Sequence, residues 1–126
     1  MTIAAGLRAE LLIMVEREDT AIRLGSGDVP VLGTPRLLAF AEAATVRAVQ
    51  SHLPEGSTSV GTKVTLEHRA ASPIGTHVEV VAELVEVDGR RLVFEVTARD
   101  RERTVATAVI ERVVVDRERF LGGLTR

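Results

Sequence analysis

The chain has 126 residues, a net charge of −2, and no Cys, Trp or Tyr; its aromatic residues are Phe40, Phe94 and Phe120. This length predicts one domain over residues 1–126 with a core built from Val, Leu, Ile and Ala. The composition excludes disulfides, thiol nucleophiles and thiolate zinc sites. It also lacks the stacking aromatics and basic surface that nucleic-acid binding uses.

Arg8 and Glu10 interrupt the apolar residues near the N-terminus, unlike a signal peptide. No run approaches the roughly 18 uncharged apolar residues of a membrane span. The expectation is a cytoplasmic protein without a membrane partner. Leu7 to Val15 alternates with period two and predicts a first strand. A polar stretch follows, in which Ala21–Leu24 reads as a short extended segment, and Gly25-Ser26-Gly27 reads as a loop.

One long helix comes next. Thr34 reads as its N-cap, with Pro35 at the first helical position. An apolar stripe runs through Leu37, Leu38, Ala41, Ala44, Thr45, Ala48 and Val49, with Arg36, Arg47 and Gln50 opposite. Leu53-Pro54-Glu55-Gly56 stops it. The remainder is β-rich: a strand around Val64–Ala70, a turn at Ser72–Gly75, a strand from His77 to Val87, a hairpin turn at Asp88-Gly89, a strand from Arg91 to Arg99, and one from Thr104 to Val115. The tail Asp116–Arg126 predicts a helical turn around Phe120. Strands in an antiparallel meander plus one long helix make an α+β layout. A sheet curled around that helix is the hotdog fold, and edge-to-edge pairing of two copies would cover its exposed strand.

Three residues break the hydrophobic pattern. Glu42 lies at the margin of the apolar stripe, beside Leu38, Thr45 and Val49. A carboxylate there either points to solvent or needs a partner to offset lost hydration. His68 follows Val64 and Leu66 on the inward face of its strand, where it is either a satisfied core residue or an acid–base group. Thr34, as N-cap, stands where a helix N-terminus also favours an anion. His52, at a helix end, and His77, after a turn, carry little signal. The Arg90–Arg91 pair reads as a solvated edge. No P-loop, G-x-G-x-x-G or G-x-S-x-G is present, and no His/Asp/Glu cluster has metal spacing, so no metal is expected.

Read together, Glu42-Ala-Ala-Thr-Val-Arg-Ala48, Leu53-Pro-Glu-Gly56, Val60-Gly61-Thr62, His68-Arg-Ala-Ala-Ser-Pro-Ile-Gly75, Val87-Asp-Gly-Arg-Arg-Leu92 and Ile110-Glu-Arg-Val113 resemble the fluoroacetyl-CoA thioesterase-like family of hotdog proteins. The likeness extends from about Leu11 to Leu121. It implies a homodimer, with pairing into tetramers left open, that holds acyl-CoA at the subunit interface. It also implies hydrolysis of the thioester by a Thr, Glu and His set, which falls on Thr34, Glu42 and His68. Gly61 matches a glycine whose backbone approaches the thioester, and Arg112 matches an arginine near the same site. No cofactor is implied beyond the coenzyme A of the substrate.

One departure stands out. The phenylalanine lid of the fluoroacetyl-specific enzyme falls here on Gly27-Asp28-Val29-Pro30-Val31-Leu32, with Asp28 at the Phe position. The resemblance therefore implies hydrolysis of a small or medium acyl-CoA rather than fluoroacetyl-CoA. The alternative is a non-catalytic hotdog module that binds an acyl-CoA or small hydrophobic ligand. A hotdog hydratase ranks lower, because Asp28 has no nearby His.

Overall fold

A computed structural model describes residues 2–124; Met1 and the Thr125-Arg126 end of the predicted tail lie outside the described residues. The elements in chain order are β1 (Arg8–Met14), α1 (Ala21–Leu24), α2 (Thr34–Val49), β2 (Ser57–His68), β3 (His77–Asp88), β4 (Arg91–Arg99), β5 (Thr104–Asp116) and α3 (Arg117–Gly122). Short 3-10 turns occupy Arg17–Asp19 and Gln50–His52.

The strands form one antiparallel sheet in the order β1-β3-β4-β5-β2. The expected meander therefore holds only for β3, β4 and β5. β2 joins the far edge, beside β5, with three strands between it and β1. The connection from β1 to β2 has to cross the sheet from one edge to the other, and α2 makes that crossing. Its small buried residues Ala41, Ala44 and Ala48 pack with Leu37, Thr45 and Val49 toward the sheet. Opposite them lie Val78, Val80, Ala82, Leu84, Phe94 and Ile110, all buried. Phe94 is fully covered and is the one aromatic residue among the buried core residues. Removing it from water stabilises the fold by roughly 2–3 kcal/mol. Leu38 is half-buried at the edge of the stripe.

Two expectations about local structure are corrected. Ala21–Leu24 is a single helical turn, not an extended segment: the Arg23 N–H donates to Thr20 Oγ1 at 3.4 Å, and Gly25 closes the turn with φ 72°. Thr34 is not the N-cap. Gly33 holds that position with extended dihedrals, and Thr34 is the first helical residue, followed by Pro35. The hydroxyl of Thr34 is thus released from capping.

The first turn of α2 is held from a distance. Asp19 is buried; its Oδ1 accepts from Arg36 Nε at 2.8 Å and its Oδ2 from the Glu16 N–H at 2.8 Å. The Gly33 N–H donates to the Asp19 carbonyl at 2.9 Å. This pairing was not apparent in the sequence, where Asp19 and Arg36 stand 17 residues apart. The β3–β4 hairpin turns at Gly89-Arg90, one residue later than expected, and Gly89 supplies the positive φ of 60°.

Bulges in β2 and β3 change which side of the strand faces inward. In β2 the register shifts between Gly61 and Lys63, and in β3 between Leu84 and Glu86. A bulge adds one residue to one strand, so the inward positions switch parity across it. In β2 the inward set is Ser59 and Gly61 before the bulge, then Val64, Leu66 and His68 after it. Their partners Val114, Arg112, Ile110, Ala108 and Ala106 alternate without interruption along β5. Among the described residues, no helix is long and apolar enough to cross a membrane.

Candidate active site

Thr34 and Glu42 on α2, Gly61 and His68 on β2, and Arg112 on β5 lie along the seam where the helix meets the edge of the sheet. Along α2, Thr34, Leu38 and Glu42 stand four residues apart and so share one side of the helix. Along β2, the bulge at Thr62 brings Gly61 and His68 to the same face, although seven residues separate them. An unbulged strand would point one of them outward.

The five residues form two groups. At the start of α2, Thr34 Oγ1 and His68 Nδ1 lie 2.8 Å apart. The tautomer of the ring decides which of the two donates. Burial pushes the His68 imidazole below its ordinary value, which favours the neutral ring. Its other nitrogen, Nε2, is buried and has no hydrogen-bond partner among the described residues. Such an atom carries a desolvation cost that functional sites commonly retain.

Two turns further along α2, about 12 Å of helix rise away, Glu42 meets Arg112. Glu42 Oε2 and Arg112 Nη1 are 3.8 Å apart; the arginine side chain is buried and the carboxylate is partly open to solvent. Gly61 lies directly over this pair. A Cβ at Gly61 would fall 2.8 Å from Glu42 Oε2 and 3.7 Å from Arg112 Nη1. The glycine is needed for that close approach, since its φ is not positive. Burial lowers the pKa of Arg112, and the Glu42 carboxylate acts against that shift.

Among the described residues, no hydrogen bond links the Thr34–His68 pair to the Glu42–Arg112 pair. Ser59 had no place in the expected set. Its hydroxyl accepts from Arg112 Nε at 2.8 Å and its carbonyl accepts from Nη2 at 3.0 Å. The sequence signal for it was slight: a serine two residues before Gly61, on the same strand face.

The residues given little weight stay apart from the seam. His52 and His77 are exposed. Arg91 is engaged by carboxylates, donating from Nε to Glu111 and from Nη1 to Glu86, each at 2.9 Å. Asp28 lies in the exposed loop ahead of α2, and none of the three phenylalanines falls in that loop.

A family described as fluoroacetyl-CoA-specific thioesterase matches residues 15–118. The chain belongs to the fluoroacetyl-CoA-specific thioesterase family. It is similar to the fluoroacetyl-CoA thioesterase of Streptantibioticus cattleyicolor, with 39% identity over 90 residues, 71% of this chain. The match spans 65% of that relative's length. A crystal structure of an F-to-A variant of the fluoroacetyl-CoA-specific thioesterase FlK superimposes with a TM-score of 0.90 at 31% identity, covering 98% of this chain and 96% of the other. A hot-dog-like protein from Thermanaerovibrio acidaminovorans superimposes with a TM-score of 0.89 at 25% identity, covering 97% and 90%. The α+β architecture is thus the hotdog fold, as expected.

Proposed function

We propose that the chain is an acyl-CoA thioesterase, with Thr34, Glu42 and His68 as its catalytic residues and Gly61 and Arg112 lining the substrate site. The observation that carries this reading is the seam itself: Thr34 and Glu42 lie on one side of α2, and each meets a partner from the sheet, an imidazole at 2.8 Å and a guanidinium at 3.8 Å. The family membership and the likeness to the S. cattleyicolor thioesterase support the same reading.

In this mechanism Glu42 accepts a proton from water as the water oxygen attacks the thioester carbonyl. Arg112 Nη1 is the guanidinium nitrogen left free by Ser59, and it faces the charge that develops there. Collapse of the tetrahedral intermediate breaks the C–S bond, and the coenzyme A thiolate leaves with little need of an acid. Thr34 orients the His68 ring, and His68, about 12 Å of helix rise from Glu42, carries protons between the seam and solvent. The Thr34 hydroxyl, 2.8 Å from His68 Nδ1, meets the imidazole and not Glu42.

The substrate is a small or medium acyl-CoA without preference for fluorine, since Asp28 stands where the resemblance puts a phenylalanine. The working form is a cytoplasmic homodimer. Its support is β2, a strand of 12 residues that pairs with β5 alone among the described residues and leaves its other edge open. A second copy would cover that edge.

The test is thiol release from acetyl-, butyryl-, hexanoyl- and phenylacetyl-CoA. Turnover by the native protein and its loss in Glu42→Gln are expected. Binding without thiol release, or undiminished turnover in Glu42→Gln, would overturn the reading. Sedimentation of the purified protein reads the dimer directly.

A further inference from the structure

We propose that Ser59 is a positioning residue that aims Arg112 at Glu42. Ser59 and Arg112 are diagonal neighbours across the β2–β5 pairing: Ser59 stands opposite Val114, and Arg112 stands opposite Gly61. Both are buried, and Ser59 is 7% exposed. A buried guanidinium needs acceptors for its donors, and its planar fork lets two acceptors fix the orientation of the whole group. Ser59 supplies both, the hydroxyl to Nε at 2.8 Å and the carbonyl to Nη2 at 3.0 Å. That grip leaves Nη1 as the nitrogen turned toward Glu42 Oε2.

The two acceptors differ in what they specify. The carbonyl belongs to the backbone and is present with any residue at this position. The hydroxyl is the contribution of serine, and with Nε it sets the rotation of the guanidinium plane. Without it the fork keeps one anchor and can swing about Nη2, carrying Nη1 away from the carboxylate. Gly61 makes the arrangement sensitive, because it brings the strand backbone against the same two groups. Ser59 is buried, and both its hydroxyl and its carbonyl are taken up by Arg112. Its effect on the reaction therefore passes through Arg112 and falls on turnover more than on substrate affinity.

This inference rests on the thioesterase reading above. The experiment compares native protein, Ser59→Ala, Arg112→Met and the double variant, with thermal melts confirming that each is folded. Ser59→Ala is expected to lower kcat about tenfold while KM stays within about threefold. In the Arg112→Met background the same substitution is expected to change kcat less than about twofold, since the group it acts through is gone. Losses that multiply, or a Ser59→Ala enzyme with native kcat, would overturn the inference while leaving the thioesterase reading intact. A native protein that releases no thiol from any acyl-CoA would overturn both. If Arg112→Met does not fold, the split between kcat and KM in Ser59→Ala decides alone.

Discussion

Thr34 and His68 meet at 2.8 Å across 34 residues of sequence, one at the first position of α2 and the other at the last position of β2. The contact exists because Gly33 takes over the capping position and frees the threonine hydroxyl. It also requires the Thr62 bulge, which turns His68 toward the helix.

Thr34→Ala therefore separates catalysis from stability. Losing a true N-cap costs about 0.5–2 kcal/mol, but Thr34 is exposed and caps nothing. The expected stability loss is less than about 1 kcal/mol by chemical denaturation, and the expected loss in kcat is about 10²-fold. A large stability loss with little change in kcat would contradict the assignment.

Gly61→Ala introduces a Cβ 2.8 Å from Glu42 Oε2. The atom in the way is the end of a flexible side chain, so the carboxylate moves and the strand stays. Thiol release is expected to fall about tenfold or more, with a circular dichroism spectrum and melting curve close to native. An unchanged rate would place Glu42 outside the reaction.

Asp19→Ala removes the buried acceptor of the Arg36 guanidinium and of the Glu16 N–H. The expected destabilisation is about 2 kcal/mol by urea unfolding, because two donors lose their partner together. The start of α2 should loosen with it, lowering activity through the position of Thr34. Stability within about 0.5 kcal/mol of native would show that the pair has no structural weight.

The pH dependence of stability follows from His68. Burial holds its pKa below the ordinary value of 6.5, so just below that pH the unfolded chain binds more protons than the folded one. Stability then falls as the pH drops through about 6.5. The native protein is expected to lose melting temperature on acidification more steeply than His68→Gln. Parallel curves for the two proteins would remove this contribution.

Much of the site was legible in the sequence because its residues break a pattern. A lone carboxylate on the margin of an apolar helix stripe and a histidine on a strand's inward face both stand out against period 3.6 and period 2. The helix, the β-rich half and the short helical turn at Phe120 were legible for the same reason, since local periodicity sets them. Ser59 and Asp19 were not, because polar residues in a strand or a loop conform to expectation. What makes them matter is a partner 53 residues away for Ser59 and 17 for Asp19.

By itself, then, the sequence determined the elements, their faces and the polar residues that interrupt them, all through interactions between near neighbours in the chain. Only the tertiary structure decided that β2 lies beside β5 instead of β3, that Thr62 reverses the parity of its strand, and that Thr34 serves His68 instead of its own helix. Each of these depends on hydrogen bonds between distant segments. Strand pairing and bulge placement are set by which partner edge is available, and neither leaves a periodic trace in the strand that obeys it.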